Sequence, residues 1–164
     1  MRVREDQIER ADGSEGIYGV VEKPDFALVI PQDGDGGLWL VEQYRYPVSG
    51  RYWEFPQGTW ETREAVDPAE LARGELEEET GLRAASLVHL GHLFQAYGYS
   101  SQGFDVWLAS DLSDGQLNRA PSEQDMRHRK FSREDWERML SDGTIKDAGS
   151  IAAYGLLLLH ERGA

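Results

Sequence analysis

Three glutamates, Glu75, Glu78 and Glu79, crowd one segment, Pro68-Ala-Glu-Leu-Ala-Arg-Gly-Glu-Leu-Glu-Glu-Glu-Thr80. If that segment is helical, each residue turns the chain by about 100°. Glu75 and Glu79 then lie one above the other, with Glu78 beside them, while Glu70 and Glu77 point to water. Like charges at this spacing cost a few tenths of a kcal/mol per pair. A divalent cation reverses the sign of that interaction. Hard carboxylate oxygens suit Mg²⁺, which takes one or two of them and fills its shell with water and phosphate oxygens. The same residues would also serve as a solvated acidic helix face, since glutamate-rich helices are common.

The elements that must hold these residues are legible around them. Asp67 can cap the helix, Pro68 suits its first turn, and Glu70 three residues on completes a capping box. Gly81 is a natural stop. Ala69, Ala72, Leu76 and Thr80 form the stripe that should face the core, and Arg73 is expected to pair with Glu70 or Glu77 at the surface. Ile17–Val21 and Phe26–Ile30 read as strands, being rich in β-branched and aromatic residues. The turn at 32–37 is expected to return Leu38–Val41 as the hairpin partner of Phe26–Ile30. Tyr52–Phe55 is a short strand stopped by Pro56, and further strands are expected at Ser86–Ala96 and Phe104–Ala109. Helices follow at Ser132–Leu140 and Asp147–His160. Strands interleaved with three helices predict an α/β fold with a mixed sheet between helical layers.

Composition narrows the chemistry. The 164 residues suit one domain. Lys plus Arg is 17 against 30 Asp plus Glu, a net charge of −13, which repels nucleic-acid backbones and anionic membranes. Neither is expected as a partner. A phosphorylated small molecule can still bind if metal ions screen the carboxylates. There is no Cys, which excludes disulfides and thiolate metal sites. No apolar run follows Met1–Asp6 and none is long enough to span a bilayer, so the expected location is the cytoplasm.

Candidate substrate contacts flank the helix. Glu54-Phe55-Pro56-Gln57-Gly58 places a glycine turn just before it, which lets backbone approach a metal or phosphate closely. Arg45 has the planar fork that suits phosphate oxygens, and Glu54 can brace Arg45 or touch substrate. Tyr97 and Tyr99 can stack on a base or sugar and still offer a hydroxyl. Both tyrosines would equally well pack within their loop. His89 and His92 read as structural or surface residues.

Gly58, Glu64 and Glu75-Leu76-Glu77-Glu78-Glu79-Thr80-Gly81-Leu82 together resemble the signature of Nudix hydrolases, G-x5-E-x7-R-E-U-x-E-E-x-G-U, with U a bulky aliphatic residue. Gln43-Tyr44-Arg45, Glu54-Phe55-Pro56-Gln57-Gly58 and Ile145-Lys146-Asp147-Ala148 resemble segments of the ADP-ribose pyrophosphatase branch. Two departures stand out. Gly74 occupies the place of the signature arginine, and the spacing from Glu64 to Glu75 is two residues longer than usual.

The resemblance implies an α/β/α sandwich in one domain over residues 1–164, with segment 1–16 available for exchange in a homodimer. It implies that Glu75 and Glu79, with Glu78, hold Mg²⁺ (Mn²⁺ as a substitute), helped by a backbone carbonyl of Gln57 or Gly58. The general base would come from Glu123 or Asp125, in the loop before the last helices. The implied reaction is hydrolysis of the pyrophosphate of ADP-ribose or a nucleotide sugar. The alternatives are a dinucleoside polyphosphate hydrolase, favoured by Tyr97, and a catalytically weak nucleotide-sensing module, favoured by Gly74.

Overall fold

The computed structural model describes residues 1–59, 67–119 and 123–163. Its centre is strand β3 (Phe26–Pro31), buried along its whole length. A continuous apolar run is what a strand covered on both faces requires. Phe26, Leu28 and Ile30 enter one core with Trp136, Ala153, Tyr154 and Leu157. Ala27 and Val29, on the opposite face, enter a second core with Ala72 and Leu76. The alternation of one strand therefore joins two helical layers.

Strand β3 runs parallel to β8 (Gly103–Asp114) and antiparallel to the two-residue strand β6 (Gln57–Gly58). The long strand β7 (Leu82–Phe94) pairs antiparallel with β8, with a bulge between His89 and Gly91. The resulting sheet is mixed, in the order β6-β3-β8-β7. A second sheet, of order β5-β4-β9, contains β4 (Leu38–Arg45), β5 (Gly50–Glu54) and β9 (Arg127–Phe131). Helix α1 (Pro68–Thr80) covers one face of the mixed sheet. Helices α2 (Arg133–Ser141) and α3 (Ala148–Glu161) contribute Trp136, Met139, Ala153, Tyr154 and Leu157 to the core on the other face.

The expected hairpin between Phe26–Ile30 and Leu38–Val41 does not form. A strand has two edges, and β6 and β8 occupy both edges of β3. Only an isolated bridge, Gln32 to Leu38, links the two segments, and β4 crosses into the second sheet. The turn itself is present, with Asp33 N–H donating to Gly37 O at 2.9 Å and Gly36 at φ +81°.

Helix α1 starts and stops where its residues dictate. The Asp67 carboxylate accepts from Ala69 N–H at 2.7 Å, and Gly81, at φ +72°, donates to Glu77 O at 2.8 Å. Ala72, Leu76 and Thr80 are buried as the stripe required. Two surface expectations are corrected. Arg73 turns away from Glu70 and Glu77 and donates to Ala84 O at 2.6 Å, anchoring α1 to β7. Glu77 is half-buried and pairs with Arg83 at 2.7 Å.

The N-terminal unit is a hairpin of β1 (Arg2–Glu9) and β2 (Glu15–Glu22). Its strands pair in register from Arg2 with Glu22 to Glu9 with Glu15. It meets the body through Tyr18 Oη, which donates to Gly98 O at 2.6 Å, and Val21 N–H, which donates to Tyr99 O at 2.8 Å. Val3 and Ile17 remain exposed on it. No described helix is long and apolar enough to cross a membrane.

Candidate active site

Strand β6 carries the site. Pairing with Ala27 and Leu28 fixes Gln57 and Gly58 at the sheet edge, in front of α1. Glu79, 1% exposed, accepts from Gln57 N–H at 3.1 Å. The Glu75 carboxylate lies against Gly58, where a Cβ would meet its Oε2 at 2.4 Å and its Cδ at 2.7 Å. Only glycine leaves room for that carboxylate.

Burial pushes the Glu75 carboxyl up to about 8, with the charges of Glu78 and Glu123 adding to the shift. Glu79 is raised well above the carboxylate range by burial, then by Glu75, Glu123 and Glu54. Two carboxylates whose ionisation is opposed by burial and by neighbouring glutamates are a place where a further cation is stabilising. Among the described residues, no three Asp, Glu, His or Cys side chains converge as a ready-made metal cluster. A cation that takes one or two carboxylates and completes its shell with water and phosphate needs no such cluster. Glu75, Glu79 and the bare backbone at Gly58 fit that demand, with Glu78 half-buried beside them.

On the other side of Gln57–Gly58 opens a cleft of about 540 Å³. Its walls include Lys23, Arg45 and Lys146, with Glu54 and Asp147 among the acids and Phe26 and Tyr52 among the rings. Three cations gathered at one opening are notable in a chain of net charge −13. Arg45 Nε donates to Glu54 Oε2 at 3.1 Å and its Nη2 donates to Oε1. Gln43 Nε2 also donates to Glu54 Oε1, at 2.7 Å. Glu54 thus holds the guanidinium from below, and burial lifts its own carboxyl to about 7 despite that partner. Gln57 Nε2 reaches Asp147 Oδ2 at 3.1 Å, and the same oxygen caps α3 through Ser150 N–H at 2.8 Å.

The proposed bases separate. Glu123 is close enough to Glu75 and Glu79 to raise both. Asp125 is exposed and bound to Arg51 at 2.6 Å, which lowers its pKa. Tyr97 and Tyr99, 84% and 58% exposed, are absent from the cleft wall. Glu64 lies outside the described residues. His89 pairs with Asp105 at 2.8 Å, remote from these groups in the sheet register. Lys23, Lys146 and the side chain of Asp147 are cleft residues that sequence reasoning did not single out. Each is an isolated charge, and only the α3 start gave Asp147 and Lys146 any signal.

The chain belongs to the Nudix family: the NUDIX domain model matches residues 22–152. Within that family it is an ADP-ribose pyrophosphatase-like pyrophosphohydrolase. The model of the nucleoside diphosphate sugar hydrolase N-terminal domain matches residues 1–21, close to the span of the β1–β2 hairpin. The chain is 32% identical to an ADP-ribose pyrophosphatase of Mycobacterium tuberculosis, over 96% of this chain and 75% of that one. It is 27% identical to an ADP-ribose pyrophosphatase of Bacillus subtilis, over 95% and 84%. A crystal structure of an ADP compounds hydrolase superposes with a TM-score of 0.85 at 23% identity, covering 98% of this chain and 86% of that one. That likeness shows the fold. Nudix ADP-ribose pyrophosphatases generally use divalent metals, in keeping with the buried pair Glu75 and Glu79 beside Gln57 and Gly58.

Two outcomes follow from this geometry. Gly58→Ala is expected to displace the Glu75 carboxylate while leaving the fold intact, because the clash falls on the free end of a side chain. Divalent-metal affinity should fall about 10- to 100-fold, the scale for disturbing the shell around a ligand. Calorimetric titration with Mn²⁺ measures this, and wild-type affinity would refute it. The second concerns pH. A carboxyl raised on folding contributes stability that is fully present below its unfolded pKa and is lost as pH rises through the folded one. For Glu75 that window runs from 4.5 to about 8. Metal-free protein should therefore melt at a lower temperature at pH 8.5 than at pH 6, and added Mg²⁺ should raise Tm more at the higher pH. Melting curves that are parallel with and without Mg²⁺ across that range would contradict the assignment.

Proposed function

We propose that this chain hydrolyses the pyrophosphate bond of ADP-ribose or a nucleotide sugar, with Mg²⁺ as its metal and Mn²⁺ as a substitute. The observation that carries this reading is the pair of buried glutamates, Glu75 against Gly58 and Glu79 bound to Gln57 N–H, behind the two residues that line a cationic cleft. Glu75 and Glu79 would hold the metal, with Glu78 and a backbone carbonyl of Gln57 or Gly58 completing the protein share. A divalent cation bound there neutralises charge on phosphate oxygens and acidifies water. Arg45, oriented by Glu54 and Gln43, binds a phosphate oxygen through the guanidinium edge that Glu54 leaves free. Lys23 and Lys146 add attraction for the dianionic linkage. Glu123 accepts the proton of the attacking water at a carboxylate oxygen, and Asp125, held by Arg51, does not take part.

Water adds across P–O–P, so ADP-ribose gives AMP and ribose 5-phosphate. Tyr97, the residue that favoured dinucleoside polyphosphates, stands clear of the cleft, as does Tyr99, and no other observation favours that substrate. The chain acts as one domain in the cytoplasm. Its β1–β2 hairpin, with Val3 and Ile17 exposed, supports a homodimer that exchanges this segment. The test is product analysis after incubation with ADP-ribose, nucleotide sugars and diadenosine polyphosphates, with and without Mg²⁺. AMP and ribose 5-phosphate formed only with metal support the reading. Intact ADP-ribose beside cleaved diadenosine polyphosphates would overturn it.

A further inference from the structure

Helix α1 ends without a basic residue in its last turn, although a helix C-terminus presents unsatisfied carbonyls that favour a cation. A distant segment supplies both. Residues 115–119 run along the helix end as a strap. Gly115 N–H donates to Gly81 O at 2.7 Å, Gln116 N–H to Glu77 Oε1 at 3.0 Å, and Asn118 N–H to Glu78 O at 3.3 Å. The strap finishes at Arg119, whose Nε and Nη2 both donate to Glu79 O, at 3.0 and 2.8 Å. Its Nη1 donates to Met126 O, and its Nη2 also meets His128 Nδ1 at 2.8 Å. Met126 N–H in turn closes the turn that carries Glu123, donating to Glu123 O at 2.9 Å. One half-buried guanidinium therefore grips the backbone of Glu79 with one edge and the backbone behind Glu123 with the other.

From this geometry we infer that Arg119 is a positioning residue, a rigid spacer that sets Glu123 over the glutamates of α1. The inference rests on the reading of Glu123 as the general base. A planar fork spans two carbonyls on different segments, and an ammonium on a flexible stem does not. The charges of Glu79 and Glu123 both act on Arg119, in agreement with its place between them.

The test compares Arg119→Lys and Arg119→Ala with wild type. With ADP-ribose and Mg²⁺, at a temperature well below either melting point, both variants should lose about 10- to 100-fold in kcat, with KM within about twofold. Arg119→Lys should regain most of the melting temperature lost by Arg119→Ala without regaining kcat. A merely structural arginine would recover both together. In the Glu123→Gln background, Arg119→Lys should cost almost nothing more, because both changes remove one function. Additive losses, or wild-type kcat in Arg119→Lys, would overturn the inference while leaving the enzyme's activity in place. Failure of wild type to cleave ADP-ribose would instead count against the substrate reading. A substrate-free measurement then still decides the inference. Amide exchange at Met126 N–H should quicken about tenfold or more in both variants, the scale of losing a charge-assisted hydrogen bond, and unchanged exchange there would overturn it.

Discussion

Glu79→Gln is expected to lower kcat by at least about a hundredfold, the scale of losing a major electrostatic element of a site. Glu79 is 1% exposed, its carboxylate accepts from Gln57 N–H, and its charge is opposed by Glu75, Glu123 and Glu54. Such a charge is tolerable only against a cation. The amide keeps the volume, and its oxygen can still accept from Gln57, so the fold should survive. Removing the charge relieves burial and repulsion, so the metal-free variant should melt no lower than metal-free wild type at pH 8. Its stabilisation by Mg²⁺ should shrink in parallel with its activity. Glu75→Gln should behave alike, since its carboxylate is likewise buried and lies against Gly58. Steady-state kinetics and melting curves on both purified variants check this. Near-normal kcat in both would remove the metal assignment.

The second large effect is expected at Glu123. Glu123→Gln should cut kcat by about 10²- to 10⁴-fold, the range for a general base. KM should change little, because a base acts on the transition state more than on bound substrate. Asp125→Asn is the internal control. Its carboxylate lies 2.6 Å from Arg51, which depresses its pKa and makes it a poor proton acceptor. The variant should keep kcat within a few-fold of wild type, and loss of this exposed, solvent-screened ion pair should barely move Tm. If the two variants exchange behaviour, the base is Asp125. If neither loses kcat, the proton goes to a glutamate of α1.

By itself the sequence determined helix α1 and the face on which Glu75 and Glu79 stand. The cap at Asp67, the stop at Gly81 and the four-residue spacing of Glu75 and Glu79 are local properties, set by hydrogen bonds and helical geometry within one turn. Glycine at position 58 was legible for the same reason, as the residue type that lets backbone approach another group closely. The strand character of Phe26–Pro31 was equally local. Its partners were not. Which strands flank β3 depends on competition for two edges, and β6 and β8 take them from residues far along the chain, displacing the nearby β4. Tertiary structure alone decided that Arg73 anchors to β7 and that Asp125 belongs to Arg51. It alone gathered Lys23, Arg45 and Lys146 from three separate segments into one cleft. It also turned Arg119, a single arginine in a loop, into the partner of Glu79. Periodicity and capping act over a few residues and can be read along the chain. Burial, ion pairing and edge occupancy act across space, between residues that the chain brings together only when the two cores on either side of β3 have closed.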